Sequence, residues 1–217
     1  GCGGNNTYAI AEELRNGDFK GIDGILSVCP YYNKPSQEGL YQHFKTLANA
    51  TELPIILYNV PGRTGINMTS ETTLRLANDC ENIVAIKEAS GNISQIAQIA
   101  HLCGDDIDIY SGNDDQIAPI MALGGKGVIS VLSHVAPRAT HDIARKYLDG
   151  DVIGSRDLQL EYLDLCNALF CDVNPIPVKE AMNMMGLDVG PCRLPLYEMT
   201  EEAKAKLRAS LAKHGLV

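Results

Sequence analysis

Short apolar segments, each too brief for a helix and bounded by turn residues, recur along the chain up to residue 132 and constrain its fold more than any other feature. They are 24–29 (GILSVC), 54–60 (PIILYNV), 83–88 (IVAIKE), 107–111 (IDIYS) and 127–132 (GVISVL). The middles of the last three are nearly continuous and rich in Ile and Val, the pattern of strands buried on both faces. Their centres lie about 20 to 30 residues apart, room for one strand and one covering helix. The intervals supply those helices. Ser36 is placed to cap a helix over 37–50, where Leu40, Phe44, Leu47 and Ala48 share a face. Thr69 or Ser70 caps the next, with Glu71 favourable in its first turn. Residues 93–102 and 116–123 give two more, and Pro137 opens a helix that ends near Gly150. Such alternation specifies an α/β chain with a parallel sheet, open or closed into a barrel. No Gly-x-Gly-x-x-Gly opens a helix, so the dinucleotide-binding version has no support. After Gly150 the strands stop, and 151–170, 175–186 and 200–214 read as three helices. Two domains are therefore expected, 1–150 and 151–217.

Composition narrows the function classes. The 27 acidic residues outnumber 18 basic ones, a formal charge of -9, which argues against nucleic-acid binding. No run approaches the roughly 18 apolar residues of a membrane span. The seven cysteines include no Cys-x-x-Cys pair, so reduced thiols in the cytoplasm are expected, with no metal site. No secretory leader is visible. The chain opens at Gly1 on a glycine-rich turn that runs into a helix with no strand before it, and it reads as truncated at that end.

In parallel sheets and barrels, reactive groups collect at the carboxyl ends of the strands. Lys87 ends the apolar run 83–86, where a charge is expensive to bury. A desolvated lysine loses its proton more readily and can attack a carbonyl to form a Schiff base. The same position also suits a lysine that escapes to solvent or pairs with Glu88. Tyr58 ends the neighbouring run, where a phenol can carry protons for an imine-forming amine or simply pack in the core. Arg63, in the loop Pro61-Gly62-Arg63-Thr64-Gly65, suits a carboxylate clamp, although surface arginines are common. Gly112 and Gly127 allow close backbone approach to a ligand or merely make turns. Tyr31 and Tyr32 share a proline-bracketed loop suited to a ligand, to a partner subunit or to packing beneath the loop. The five histidines show neither metal spacing nor a triad, and Asp105-Asp106 and Asp114-Asp115 are expected to be solvated helix-start carboxylates.

Three stretches together closely resemble the dihydrodipicolinate synthase family. They are Tyr58-Asn59-Val60-Pro61-Gly62-Arg63-Thr64-Gly65, Ile86-Lys87-Glu88-Ala89-Ser90-Gly91-Asn92 and Pro30-Tyr31-Tyr32-Asn33-Lys34-Pro35-Ser36. The stretches 124–131 (GGKGVISV) and 174–179 (NPIPVK) agree as well, so the resemblance covers essentially the whole chain. It implies a TIM (β/α)8 barrel with a C-terminal helical domain, the first domain here an incomplete barrel with five of the eight strands. It also implies a lyase of class I aldolase type, which condenses pyruvate with L-aspartate 4-semialdehyde on the way to diaminopimelate and lysine. On this resemblance Lys87 forms the pyruvate Schiff base, with no separate cofactor, and Tyr58 relays protons. Tyr32 crosses a dimer interface to complete the neighbour's relay, and Arg63 binds the second substrate's carboxylate. Gly112 and Ile129 line the pyruvate site. Asn5 and Tyr31 match a lysine-binding pocket of feedback-inhibited members, whose acidic residue is replaced here by Ala9. Family members are usually homotetramers built from tight dimers. About 75 further residues upstream complete the barrel in the family. They include a Thr-Thr-Gly-Glu motif whose threonine links the two tyrosines. The 217-residue chain alone is therefore expected to be impaired. The alternatives are a related pyruvate lyase acting on N-acetylneuraminate or keto-deoxy sugars, which lacks the arginine of this loop, and a non-catalytic assembly module.

Overall fold

The computed structural model describes all 217 residues. Five strands form one parallel sheet in sequence order: β1 (Ile25–Val28), β2 (Ile55–Asn59), β3 (Ile83–Glu88), β4 (Asp108–Ser111) and β5 (Gly127–Val128). Helix α1 (Thr7–Asn16) precedes β1, and α2 (Gln37–Ala48) links it to β2. The short α3 (Pro61–Thr64) and α4 (Ser70–Asp79) lead to β3, α5 (Ile93–Cys103) to β4, and α6 (Ile117–Ala122) to β5. Every strand-to-strand step thus passes through a helix, as parallel pairing requires. The caps fall where side-chain chemistry places them. Ser36 accepts from the Gly39 N–H, Thr69 from Thr72 and Asn92 from Gln95.

The chain divides into two compact units, Gly1–Asn113 with Pro119–Ile129, and Asp114–Ala118 with Ser130–Val217. That division falls at 129/130 rather than at the expected 150. The cause is α7 (Pro137–Leu148), which packs on α8 (Val152–Glu161) inside the second unit. There the buried Ser155 hydroxyl donates to the Ile143 carbonyl at 2.6 Å.

In the first unit burial alternates along β1, β2 and β4, and on β3 Ala85 and Ile86 are both buried. Ile25, Ser27, Ile55, Leu57, Ile86 and Ile109 are buried, in one core with Leu40, Phe44, Leu47 and Leu76 of the helices, apart from the polar Ser27. Leu26, Val28, Ile56, Tyr58, Lys87 and Tyr110 point to the other face and are half-buried. This corrects the expectation of strands buried on both faces. Helices cover one side of the sheet, and the sheet is open, with β1 and β5 as its edges. The fifth strand is also shorter than expected. It ends at Val128, although the Ile129 N–H still donates to the Ser111 carbonyl at 2.9 Å.

His43 on α2 is 3% exposed, accepts or donates at Nδ1 with the Thr7 hydroxyl at 2.8 Å, and has no partner for Nε2. Burial lowers its pKa from 6.5 to about 4. A lowered histidine pKa means that the unfolded chain takes up a proton which the folded chain resists. Stability is therefore full above pH 6.5 and declines as the pH falls towards 4. The shift corresponds to roughly 3 kcal/mol. Urea titrations at pH 7 and pH 4.5 are expected to differ by much of that amount, and the difference should shrink in a His43→Gln variant.

The second unit is helical: α7, α8, α9 (Leu163–Ala168), α10 (Ile176–Met184) and α11 (Glu201–Lys213). The single helix expected over 151–170 is broken at Tyr162, where α8 gives way to α9. Leu132, Leu165, Leu169, Ala181, Leu207 and Leu211 are all fully buried in its core. Asp114 corrects another expectation. Only 3% exposed, it is not a solvated carboxylate, and it accepts the Val131 and Leu132 N–H groups at 3.0 and 2.8 Å. No helix is long and apolar enough to cross a membrane.

Candidate active site

The first unit carries every site residue anticipated from the sequence, and strand register decides which of them meet. Tyr58 of β2 pairs with Lys87 of β3, and Lys87 pairs with Tyr110 of β4. Side chains at paired positions of parallel strands project from the same face. The amine therefore emerges between two phenols on the half-open side of the sheet, at its carboxyl edge. Lys87 Nζ lies 4.3 Å from the centroid of the Tyr58 ring. An amine there, half-buried against an aromatic face, has less water around it than a surface lysine.

Burial pushes the Tyr58 phenol above its usual pKa of 10, and the positive charge of Arg63 opposes that rise. Arg63 stands on α3, which Pro61 opens and Gly65 closes in the left-handed region at φ 75°. Its side chain is exposed. Gly112 follows β4 and donates its N–H to the Glu88 carbonyl at 2.8 Å. A Cβ added there would meet the Ala89 Cβ at 2.6 Å and Lys87 Cε at 3.1 Å. Glycine at 112 is thus what lets the backbone run directly beside the lysine stem. Gly112→Ala is expected to destabilise the chain by about 1–3 kcal/mol, because a neighbour tied to backbone must move. Urea denaturation measures that loss.

Ile129 sits half-buried just past β5, joined to the sheet edge through Ser111. The Asn5 amide donates to the Tyr31 carbonyl at 3.0 Å, and Asn33 donates to the Asn5 carbonyl at 3.0 Å. Tyr32 differs from the others. Its backbone lies in the left-handed region at φ 75°, anchored by its N–H on the Thr64 carbonyl at 3.2 Å, and its side chain is 87% exposed.

Two features escaped the sequence reading. Tyr110 stands in register with Lys87 on the same face of the sheet, and counting back two residues from Gly112 finds it. Glu88 does not serve as a simple surface partner for the lysine beside it. Its carboxylate is on the covered face, bound by Asn59, Gln95 and the Ser90 N–H.

An amine beside a phenol at the carboxyl edge of a parallel, helix-covered sheet has the nucleophile and the acid–base group that imine chemistry requires, on strands and helices that alternate as in a (β/α) scaffold. The chain matches the model of the dihydrodipicolinate synthetase family over residues 1–214. It is 54% identical over 218 residues to the 4-hydroxy-tetrahydrodipicolinate synthase of Lachnoclostridium phytofermentans, covering 100% of this chain and 74% of that relative. Among solved structures, dihydrodipicolinate synthase from Cyanidioschyzon merolae with lysine bound superposes with a TM-score of 0.96 at 45% identity, over 100% of this chain and 74% of that one. The chloride-inhibited enzyme from Acinetobacter baumannii, complexed with pyruvate, gives a TM-score of 0.96 at 41% identity, with the same coverage of both chains. The chain belongs to the dihydrodipicolinate synthetase family, and its five strands and their helices are part of that family's TIM barrel.

Proposed function

We propose that the chain carries the active site that condenses pyruvate with L-aspartate 4-semialdehyde to give 4-hydroxy-tetrahydrodipicolinate, the lyase-class reaction named by its relatives. The observation that carries this reading is the Lys87 amine 4.3 Å from the Tyr58 ring at the carboxyl edge of the sheet. The Lys87 nitrogen attacks the keto carbon of pyruvate, the carbonyl oxygen leaves as water, and the imine remains on the protein. Loss of a methyl proton then gives an enamine, whose carbon attacks the aldehyde of the second substrate, and that substrate's amine finally displaces the Lys87 nitrogen from the imine carbon, closing the ring and freeing the lysine. Tyr58 is the proton carrier, with Tyr32 of a second copy completing the relay in a homo-oligomer. Arg63 receives the second substrate's carboxylate, and Gly112 and Ile129 border pyruvate. Asn5 and Tyr31 form one wall of a lysine pocket in which Ala9 supplies no charge. No cofactor is needed, because the covalent link to Lys87 is itself the electron sink. Reductive trapping with pyruvate and borohydride, followed by peptide mapping, is expected to mark Lys87. A condensation assay with aspartate semialdehyde, set beside cleavage of N-acetylneuraminate, separates this reaction from sugar-lyase chemistry.

The open sheet face favours a second reading for the chain on its own. Leu26, Val28 and Ile56 lie half-buried on the same side as Lys87, where a closed barrel would cover them. Turnover by this chain alone is expected to be weak. Rates matching those of its relatives would remove that reading.

A further inference from the structure

Behind the reactive face lies a polar cluster that the chemistry above does not use. Asn59 and Glu88 are the register pair directly after Tyr58 and Lys87, so they point to the covered side, where they are 0% and 1% exposed. A buried carboxylate is tolerated only when its oxygens are satisfied. Here Oε1 accepts the Ser90 N–H at 2.8 Å, Oε2 accepts Gln95 Nε2 at 3.0 Å, and Asn59 Nδ2 bridges both at 3.3 and 3.2 Å. The two amides cannot turn round cheaply. Asn59 Oδ1 accepts the Met68 N–H at 3.0 Å, and Gln95 Oε1 accepts Asn67 Nδ2 at 2.7 Å. Every group named around the carboxylate is thus held as a donor, which suits the anion. The main chain is tied at the same level: the Ala89 N–H donates to the Asn59 carbonyl at 2.9 Å, and the Gly112 N–H to the Glu88 carbonyl at 2.8 Å.

We propose that Glu88 is a positioning residue for this site: its carboxylate, gripped by Asn59, Gln95 and the Ser90 N–H, locks the carboxyl ends of β2 and β3 so that the Tyr58 phenol and the Lys87 amine keep their spacing. This rests on the reading of Lys87 as the imine-forming group. Glu88→Gln sets an amide N–H₂ against donors and loosens the lock, whereas Glu88→Asp keeps an acceptor-only group.

The test is the rate of borohydride-trapped pyruvate adduct on the folded chain, measured across pyruvate concentrations. Glu88→Gln is expected to slow trapping at saturating pyruvate by roughly tenfold or more, because small misplacements of reacting groups are costly. Its half-saturating concentration should move by less than about threefold, and Glu88→Asp should recover part of the rate. In a Tyr58→Phe background, Glu88→Gln should cost less than about threefold, since the relation it protects is already gone. Gln95→Met, which removes one donor and leaves the carboxylate, is expected to slow trapping in the same direction and serves if Glu88→Gln does not fold. Losses that add fully to those of Tyr58→Phe, or variants with lowered melting points and unchanged trapping rates, would overturn the proposal and leave Glu88 a purely structural group. Failure of the parent chain to gain any adduct at Lys87 would instead refute the underlying reading, and the inference with it.

Discussion

Replacing Lys87 by alanine is expected to abolish the pyruvate adduct and to lower condensation by roughly 10³-fold or more, because it removes the nucleophile rather than a contact to it. The fold gives reason to expect that the variant is intact. Lys87 is half-buried on the open face, and the core on the covered face is made by Ile86 and its neighbours, which the substitution leaves in place. Lys87→Arg is the sharper control. It keeps a positive charge and a long stem near Tyr58, but a guanidinium does not deprotonate under these conditions and forms no imine. Both variants should show equal loss in intact-mass spectra after borohydride treatment with pyruvate, with melting curves close to the parent's. Retention of turnover by either variant, or trapping at another lysine, would remove Lys87 from the mechanism.

Much of this arrangement was legible in the residues. Strand ends are marked by abrupt changes of chemistry, Ile-Leu-Tyr-Asn and Ala-Ile-Lys-Glu among them, so Tyr58 and Lys87 fall at the carboxyl edge by simple counting. Ser36, Thr69 and Pro137 fixed helix starts because capping is a local matter of one side chain and a few N–H groups. What stayed hidden depends on partners distant in sequence. The pairing of Glu88 with Asn59 and Gln95 follows from register and from the entry of α5, neither of which a run of apolar letters records. Burial of Asp114 likewise needs the N–H groups of Val131 and Leu132, seventeen and eighteen residues on. The half-open face was missed for another reason. Continuous Ile and Val say that a strand is apolar on both sides, but not that both sides are covered.

Tyr58→Phe separates proton transfer from covalent capture. The ring beside Lys87 Nζ remains and only the hydroxyl goes, so the imine still forms, more slowly, and trapping with borohydride still labels Lys87. Condensation is expected to fall by about 10²–10⁴-fold, the usual worth of a positioned acid–base group. The pH dependence follows from the direction of the Tyr58 shift. Burial penalises the phenolate, so the phenol keeps its proton to a pH above 10, the value of an exposed tyrosine, and acts as a donor throughout the neutral range. Activity that depends on this donor should therefore decline on the alkaline side only above that value, and Tyr58→Phe should lose this limb altogether. Arg63 supplies the opposing influence, since its positive charge favours the phenolate. Arg63→Ala is then expected to move the alkaline limb upward as well as to raise the half-saturating concentration of aspartate semialdehyde. A downward move would mean that the limb reports some group other than Tyr58. An unchanged semialdehyde affinity would remove the guanidinium from substrate binding while leaving its effect on the phenol to stand.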